Sequence, residues 1–401
     1  MPLPSRYPVP YSTRRRVARQ MRKVPGARYP VPYVCLVLLC CAGCAILPLA
    51  ATRVPTVQTG GPPAPISPYH DYRGVIHIHT TYSDGTGTYE QLGRLACRQG
   101  LDFLILTDHN TLQPLADGKE GWRPSEDATP RVLLLTGTEV SAPDGHVLAL
   151  HVRQPINRDQ PSQAILDDIA RQGGLSFIAH PQYPKKPWSN WAVQGYHGVE
   201  LYNLVEDAEA ARGVGLFLRG LVMPPDVFYR SLVRRPSISL ERWDRCLAGG
   251  RRVVGIGSAD AHGLRAFRLR LSPYDVVFKV VRTHLLLMSA LSQDAVYDAL
   301  QRGHAYLAID LLGDATGFFF SAAADGEPAG IMGDEITHRP GLTLHMRAPA
   351  DAHWRLLKDG AVIAVRQAQQ WAWPVETPGV YRVEVDLRGR FWIAANPIYV
   401  R

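Results

Sequence analysis

Nine residues with metal-ligating side chains punctuate the middle of this chain: His77, His79, Asp84, His109, Glu139, His146, His180, Asp260 and His262. Imidazoles and carboxylates without a thiolate suit Zn, Mn or Fe. Nine such donors are enough for two or three ions that share carboxylate bridges. His77 and His79 have the spacing of side chains on one face of a strand, which repeat every two residues. Asp84 follows inside Ser83-Asp84-Gly85, and His109 ends the next apolar run. Glu139 ends the third run and His180 a later one, Asp260-Ala261-His262 closes the last, and His146 opens HVLAL. Each piece alone is weak evidence, but six of the fourteen histidines stand at strand ends, which a chance distribution does not explain. The chain contains no Walker loop, no dinucleotide fingerprint and no Gly-x-Ser-x-Gly elbow, so nucleotide-cofactor and serine-hydrolase readings have no footing.

The elements that must position these residues follow from the apolar pattern. RGVIHIH (73–79), LDFLILTDH (101–109), RVLLLTGTEV (131–140), HVLALHV (146–152), LSFIAHP (175–181), HGVELYN (197–203) and RVVGIGSADAH (252–262) read as strands. Thr88 and Gln91 form a capping box for a helix through Gln99, stopped by Gly100. Ser162 is placed to cap QAILDDIARQ, and a long helical stretch is expected from Glu206 to about Leu247. Buried parallel strands separated by helices mean an α/β layer fold, and their number suits a barrel, whose active sites lie beyond the carboxyl ends of the strands. From 313 to 401 short strands with turn signals predict a small β-sandwich.

The motif series His77-x-His79-Thr80-x-x-Ser83-Asp84-Gly85, Thr107-Asp108-His109, Gly137-x-Glu139, His180-Pro181 and Asp260-x-His262 resembles that of the PHP (polymerase and histidinol phosphatase) metal-dependent phosphoesterases. The match covers about 70–312. It implies a distorted (β/α)7 TIM-like barrel with a trinuclear site that hydrolyses phosphate esters, and all nine residues carry over as ligands. His151 lies on the same stretch as His146 and competes with it for that role. The leader, the C-terminal β-domain and the ending Trp392-Ile-Ala-Ala-Asn-Pro-Ile-Tyr399 look like the extracytoplasmic branch related to carbaryl hydrolase.

The leader accounts for the charge. Residues 1–33 carry eight Lys and Arg and no acid; removing them from the 44 leaves as many bases as the 36 Asp and Glu. The net charge of +8 therefore belongs to the tail, and no duplex nucleic-acid surface is implied. Residues 34–51, VCLVLLCCAGCAILPLAA, are expected to be a transmembrane or signal segment, with residues 1–33 cytoplasmic and the body outside. Met21 is an alternative start, and Cys44 in Cys41-Ala-Gly-Cys44 an alternative lipidation site. Residues 52–69 read as a Pro/Gly-rich linker. Cys97 and Cys246 alone remain in the body, so at most one disulfide could form there.

The expected function is a membrane-anchored, extracytoplasmic metallohydrolase with two to three Mn, Zn or Fe ions. A metal-bridging hydroxide attacks a phosphomonoester or nucleotide, and Glu139, Asp260 and His262 form the catalytic centre. The alternatives are a carboxylic or carbamate ester hydrolase using the same site, and a non-catalytic, metal-stabilised envelope binding module. Glu200, Asn203, Lys185 and Arg265 are the expected substrate contacts, with Arg268 and Arg270 as alternatives to Arg265. Asp108 is read either as orienting an imidazole or as a strand-end cap. Trp188 and Trp191 are read either as an apolar wall or as packing residues.

Overall fold

A computed structural model describes residues 68–124, 131–204, 222–263, 265–266, 269–270 and 273–401. The expected segments 1–33 and 34–51, most of the linker, and the start of the helical stretch after Glu206 lie outside the described residues. Among the described residues, no helix is long and apolar enough to cross a membrane.

The fold begins on β1 (His70–Ile76), whose last three residues are buried, and on β2 (Phe103–Leu106), FLIL, which is apolar throughout because both of its faces are covered. β1 and β2 pair in parallel, and β3 (Gly121–Pro124) lies antiparallel on β4 (Arg131–Thr136), which is parallel to β2. β5 (Thr138–Ala142), β6 (Gly145–Leu150) and β7 (Leu175–Ala179) are antiparallel in succession. β8 (Gly198–Asn203) and β9 (Val254–Ser258) then extend that five-stranded sheet in parallel. After the hairpin β10 (Arg265–Ala266) and β11 (Leu269–Arg270), β12 (Arg282–Leu287) runs antiparallel to β1, and β13 (Ala305–Ala308) antiparallel to β12. The fold is therefore mixed α/β. The stretch HVLALHV departs from the all-parallel expectation, because a tight turn joins β5 to β6 and leaves no room for a crossover helix. β12 and β13 depart from it too, although the helix Gln293–Arg302 lies between them.

Backbone bonds stitch the two sheets together where their strands end. Ile78 bridges Ala261, His109 bridges Glu139, and the His79 N–H donates to the Ala261 carbonyl at 2.9 Å. Thr88 caps the helix Tyr89–Arg98 with the reciprocal Gln91 bond of a capping box. Ser162 does not cap its helix. Pro161 holds that position, and the Ser162 hydroxyl donates instead to Asp144 at 2.7 Å.

The C-terminal strands continue the first sheet. β14 (Phe319–Ala324), β15 (Glu327–Ile331), β16 (Glu335–Ile336), β17 (Leu342–Lys358), β18 (Ala361–Pro374), β19 (Gly379–Leu387), β20 (Arg390–Ala395) and β21 (Ile398–Val400) follow one another with short turns. β20 hydrogen-bonds to β13, so a single fourteen-stranded sheet runs through both parts. One buried apolar cluster likewise extends from Val75 to Val400 and includes Trp243, Trp354 and Trp392.

A charged network fastens β19 to the helix Ser237–Ala248. The buried Arg382 guanidinium donates to both Asp244 oxygens at 2.6 Å and to Glu384 at 2.8 Å, while Arg235 and Arg355 hold the other sides of Glu384. Breaking a buried pair leaves an uncompensated charge. Arg382→Met should therefore lower stability by about 3–5 kcal/mol, read as a lower denaturant midpoint with an unchanged slope.

Candidate metal centre

The site is built where strands stop being strands. His77 follows the last residue of β1, His180 follows the last of β7, and Asp260 lies two residues past β9. All three have left-handed backbones, with φ of 67°, 25° and 48°. Such conformations cost non-glycine residues of order 1–3 kcal/mol each, and they cluster at functional sites. The reading of His77 and His79 as neighbours on one pleated face is therefore corrected. β1 ends at Ile76, and the left-handed turn at His77, with Ile78 bridged to Ala261, brings the two rings to 5.1 Å.

All nine expected ligands converge, in three groups that overlap at two residues: His77, His79, Glu139 and Asp260; Glu139, His146 and His180; His79, Asp84, His109 and His262. In the first group His77 Nε2 lies 3.1 Å from Glu139 Oε2 and 3.3 Å from Asp260 Oδ1. His79 Nε2 lies 3.2 Å from each of the same two oxygens. Donors about 2.0–2.2 Å from a tetrahedral ion stand roughly 3.3–3.6 Å apart, and those of an octahedral ion at about 2.1 Å roughly 3.0 Å. The observed spacing falls between these values. These four atoms are buried and have no hydrogen-bond partner, as are His79 Nδ1, His109 Nδ1 and His180 Nδ1. Orphaned buried polar atoms are rare in folded proteins. Their concentration here, with lone pairs converging, fits bound divalent cations.

The other oxygen of Glu139 faces the second group, at 2.7 Å from His146 Nδ1 and 2.8 Å from His180 Nε2. Asp84 joins the third group, at 3.6 Å from His109 Nε2 and 3.4 Å from His262 Nε2. His151 belongs to none of the groups; its ring stacks on Tyr297 at 4.5 Å, which leaves His146 as the donor on β6. Exposure grades the centre. The Asp84 side chain is 56% exposed and that of His109 27%, whereas those of His77, His79 and Glu139 are at most 1%. The open end is thus the Asp84 side.

The supporting shell differs from expectation. Glu200 and Asn203 do not face an open mouth, because both are buried. Glu200 bonds His77 Nδ1 at 2.7 Å and accepts from the His180 N–H at 2.6 Å, and the Asn203 amide donates to it at 2.9 Å. It orients ligands and is out of reach of substrate. Asp108 orients no imidazole. It accepts from the Thr80 N–H, the Thr80 hydroxyl and the Ser83 hydroxyl at 2.6–2.7 Å, so it pins the loop that carries Asp84. Gly85 is required in that loop, since a Cβ would lie 2.3 Å from the His79 carbonyl oxygen. Tyr274 was not singled out by sequence. Its hydroxyl lies 2.9 Å from the His79 carbonyl and 2.8 Å from that of His262, tying the first and last ligand loops together.

The remaining candidates divide. Lys185 lies 5.8 Å from the Tyr183 ring, which in turn lies 5.1 Å from the His180 ring, so the lysine stands on a loop beside the centre. The side chains of Arg265, Arg268 and Arg270 lie outside the described residues. Trp188 is buried against Gly145 and Trp191 packs under Arg242, so both are packing residues. Cys97 and Cys246 are both free.

Charge inside the centre is balanced by protons when no cation is bound. Burial alone would depress the His79 and His180 imidazoles, yet the carboxylates around them, Glu139 and Asp260 foremost, raise both to about 9. Glu139 and Asp260 are held well below the ordinary carboxylate range against the same burial, chiefly by His77. Cations and protons therefore compete for the same lone pairs. Metal uptake at pH 7.5 should release protons from His79 and His180, and the release should shrink as pH rises through about 9. Titration calorimetry in buffers of different ionisation enthalpy reads the proton count. Glu200→Gln should lower metal affinity 10- to 100-fold with the fold retained, because the carboxylate that orients His77 is lost. Equilibrium metal competition and circular dichroism measure the two effects.

No family model matches the chain. It is 26% identical to an uncharacterized protein of Methanocaldococcus jannaschii over 121 residues, 27% of this chain and 67% of that protein. It is 35% identical to the phosphoribosyl 1,2-cyclic phosphate 1,2-diphosphodiesterase of Eggerthella lenta over 86 residues, 20% of this chain and 30% of that enzyme. The chain thus spans less than a third of the curated enzyme's length. A solved two-domain protein of Bacteroides vulgatus, described as containing a predicted PHP-like metal-dependent phosphoesterase, aligns with a TM-score of 0.42 and 16% identity, covering 82% of this chain and 96% of that one. By its motif series, and by the segment shared with the curated phosphodiesterase, the chain is similar to the PHP metal-dependent phosphoesterases, which are hydrolases.

Proposed function

We propose that the protein hydrolyses small phosphate esters, a phosphomonoester or nucleotide, at a three-ion centre. The observation that carries this reading is the sharing of one buried carboxylate, Glu139, between two donor groups, with a third group at the open end. A neutral imidazole has one lone pair. His79 therefore serves the deep group through Nε2, which leaves Asp84, His109 and His262 for the outer ion. His77, His79, Glu139 and Asp260 would hold the first ion, and Glu139, His146 and His180 the second. When bound, such ions supply Lewis-acid stabilisation of phosphoryl charge and a hydroxide at neutral pH.

The chain's own residues do the rest. Asp84 and His109 mark the side on which the ester enters, and Lys185 on its loop meets the anionic end of the substrate. Asp260 and His262 lie next to the reacting position and handle the leaving-group proton. Glu200, Asp108 and Tyr274 fix the ligand loops, so that no reorganisation is needed on turnover. A distorted (β/α)7-type barrel with a C-terminal β-sandwich is the proposed description of the architecture. The apolar run 34–51 supports membrane anchorage, with the catalytic body outside the cytoplasm.

The test is metal analysis of the full chain in detergent, followed by a panel of phosphomonoesters, nucleotides, phosphodiesters and carboxylic esters. Two to three ions per chain and turnover of a phosphate ester are expected, with His79→Ala and Asp260→Ala both falling to the uncatalysed background. Metal content well below one per chain would overturn the reading. So would turnover confined to carboxylic esters.

A further inference from the structure

A second site lies away from the metal centre, on the outer face of the C-terminal strands. Cross-strand register places Phe319, Ser321, His345, Arg347 and Gln370 on one face of β14, β17 and β18, while Phe320, Ala322, Leu344 and Met346 point into the core. Together with Tyr69 and β15, that face lines an open cavity of about 760 Å³, within the range of small-molecule sites. None of its lining residues belongs to the three metal-ligand groups.

The lining specifies the ligand. It contains Arg347, Arg366 and His345 but no aspartate or glutamate, so its charged side chains are basic. Tyr69 and Phe319 supply flat apolar walls, their rings 6.1 Å apart. Nε and Nη1 of Arg347 are buried and have no hydrogen-bond partner among the described residues. By contrast, the fully buried Arg382 meets two carboxylates, Asp244 and Glu384, and Arg242, which also leaves its Nε unpartnered, packs on the Trp191 ring and lines no such cavity. Arg347 is half-buried, and donors shielded from water without an acceptor are destabilising. Arg347 also lines the cavity, so a ligand seated there can supply the acceptor.

We infer that this cavity binds a small organic anion, a carboxylate or phosphate carried on a flat apolar body, with the oxyanion on Arg347 and the rings against Tyr69 and Phe319. The anion is seated apart from the metals and is not itself hydrolysed.

Two readouts on the metal-loaded full chain test the assignment, with 2-naphthoate as the probe and neutral 2-naphthamide as its control. Naphthoate, but not naphthamide, should bind by calorimetry and raise the melting temperature by a few degrees at saturation. Arg347→Met should weaken naphthoate binding at least tenfold, and Arg366→Met should weaken it to a smaller extent. Phosphate-ester turnover should stay within twofold in both variants. Because Arg347→Met removes unpaired buried donors, its ligand-free melting temperature should hold or rise, whereas a merely structural arginine would lower it. Equal binding of the amide would overturn the inference, as would naphthoate affinity unchanged in Arg347→Met, which would place the probe at the metals. A ligand-free melting temperature that falls in Arg347→Met would also overturn it.

Discussion

Everything in this protein is arranged around a carboxylate that water cannot reach. Glu139 has no solvent exposure, and five imidazoles, those of His77, His79, His109, His146 and His180, approach its two oxygens at 2.7–3.2 Å. An isolated carboxylate in such a place would be prohibitively costly. It persists because strands from both sheets end around it and each delivers a compensating group. The stitch between the sheets, His109 to Glu139, is therefore also the contact between two ligands. Fold and centre share that bond.

The convergence of these donor residues was legible in the sequence because metal chemistry restricts residue types and the motifs keep their order along the chain. The capping box at Thr88 was legible for the same reason: two specific side chains must face each other across three residues. What could not be read is whatever depends on backbone direction. Nothing in RGVIHIH says that the strand ends at Ile76 or that His77 turns left-handed. Glu200 and Asn203 read as polar residues at a strand end, which is equally the pattern of a group facing solvent and of one buried behind a histidine. Tyr274 gave no signal, since its work is done by one hydroxyl on two carbonyls distant in sequence.

The C-terminal strands show a related limit. In β19 the polar Arg382 and Glu384 alternate with the apolar Tyr381, Val383 and Val385, yet both faces are buried. Arg382 and Glu384 occupy the apparently polar side because a helix bearing Asp244 closes over them. Composition predicts exposure for such residues, and only the tertiary partner reverses it. The hydrogen bonds between β13 and β20 then make the last ninety or so residues part of the sheet that carries β1 and β2.

The left-handed turns at His77, His180 and Asp260 bear on how such a protein changes over generations. At each of these positions glycine would relax the backbone, at the expense of a donor. A lineage released from the need for the centre would meet substitutions there that make the chain more stable while disabling it. Drift would thus run toward a sturdier, inert protein, so the ligands would be erased quickly once selection lapsed.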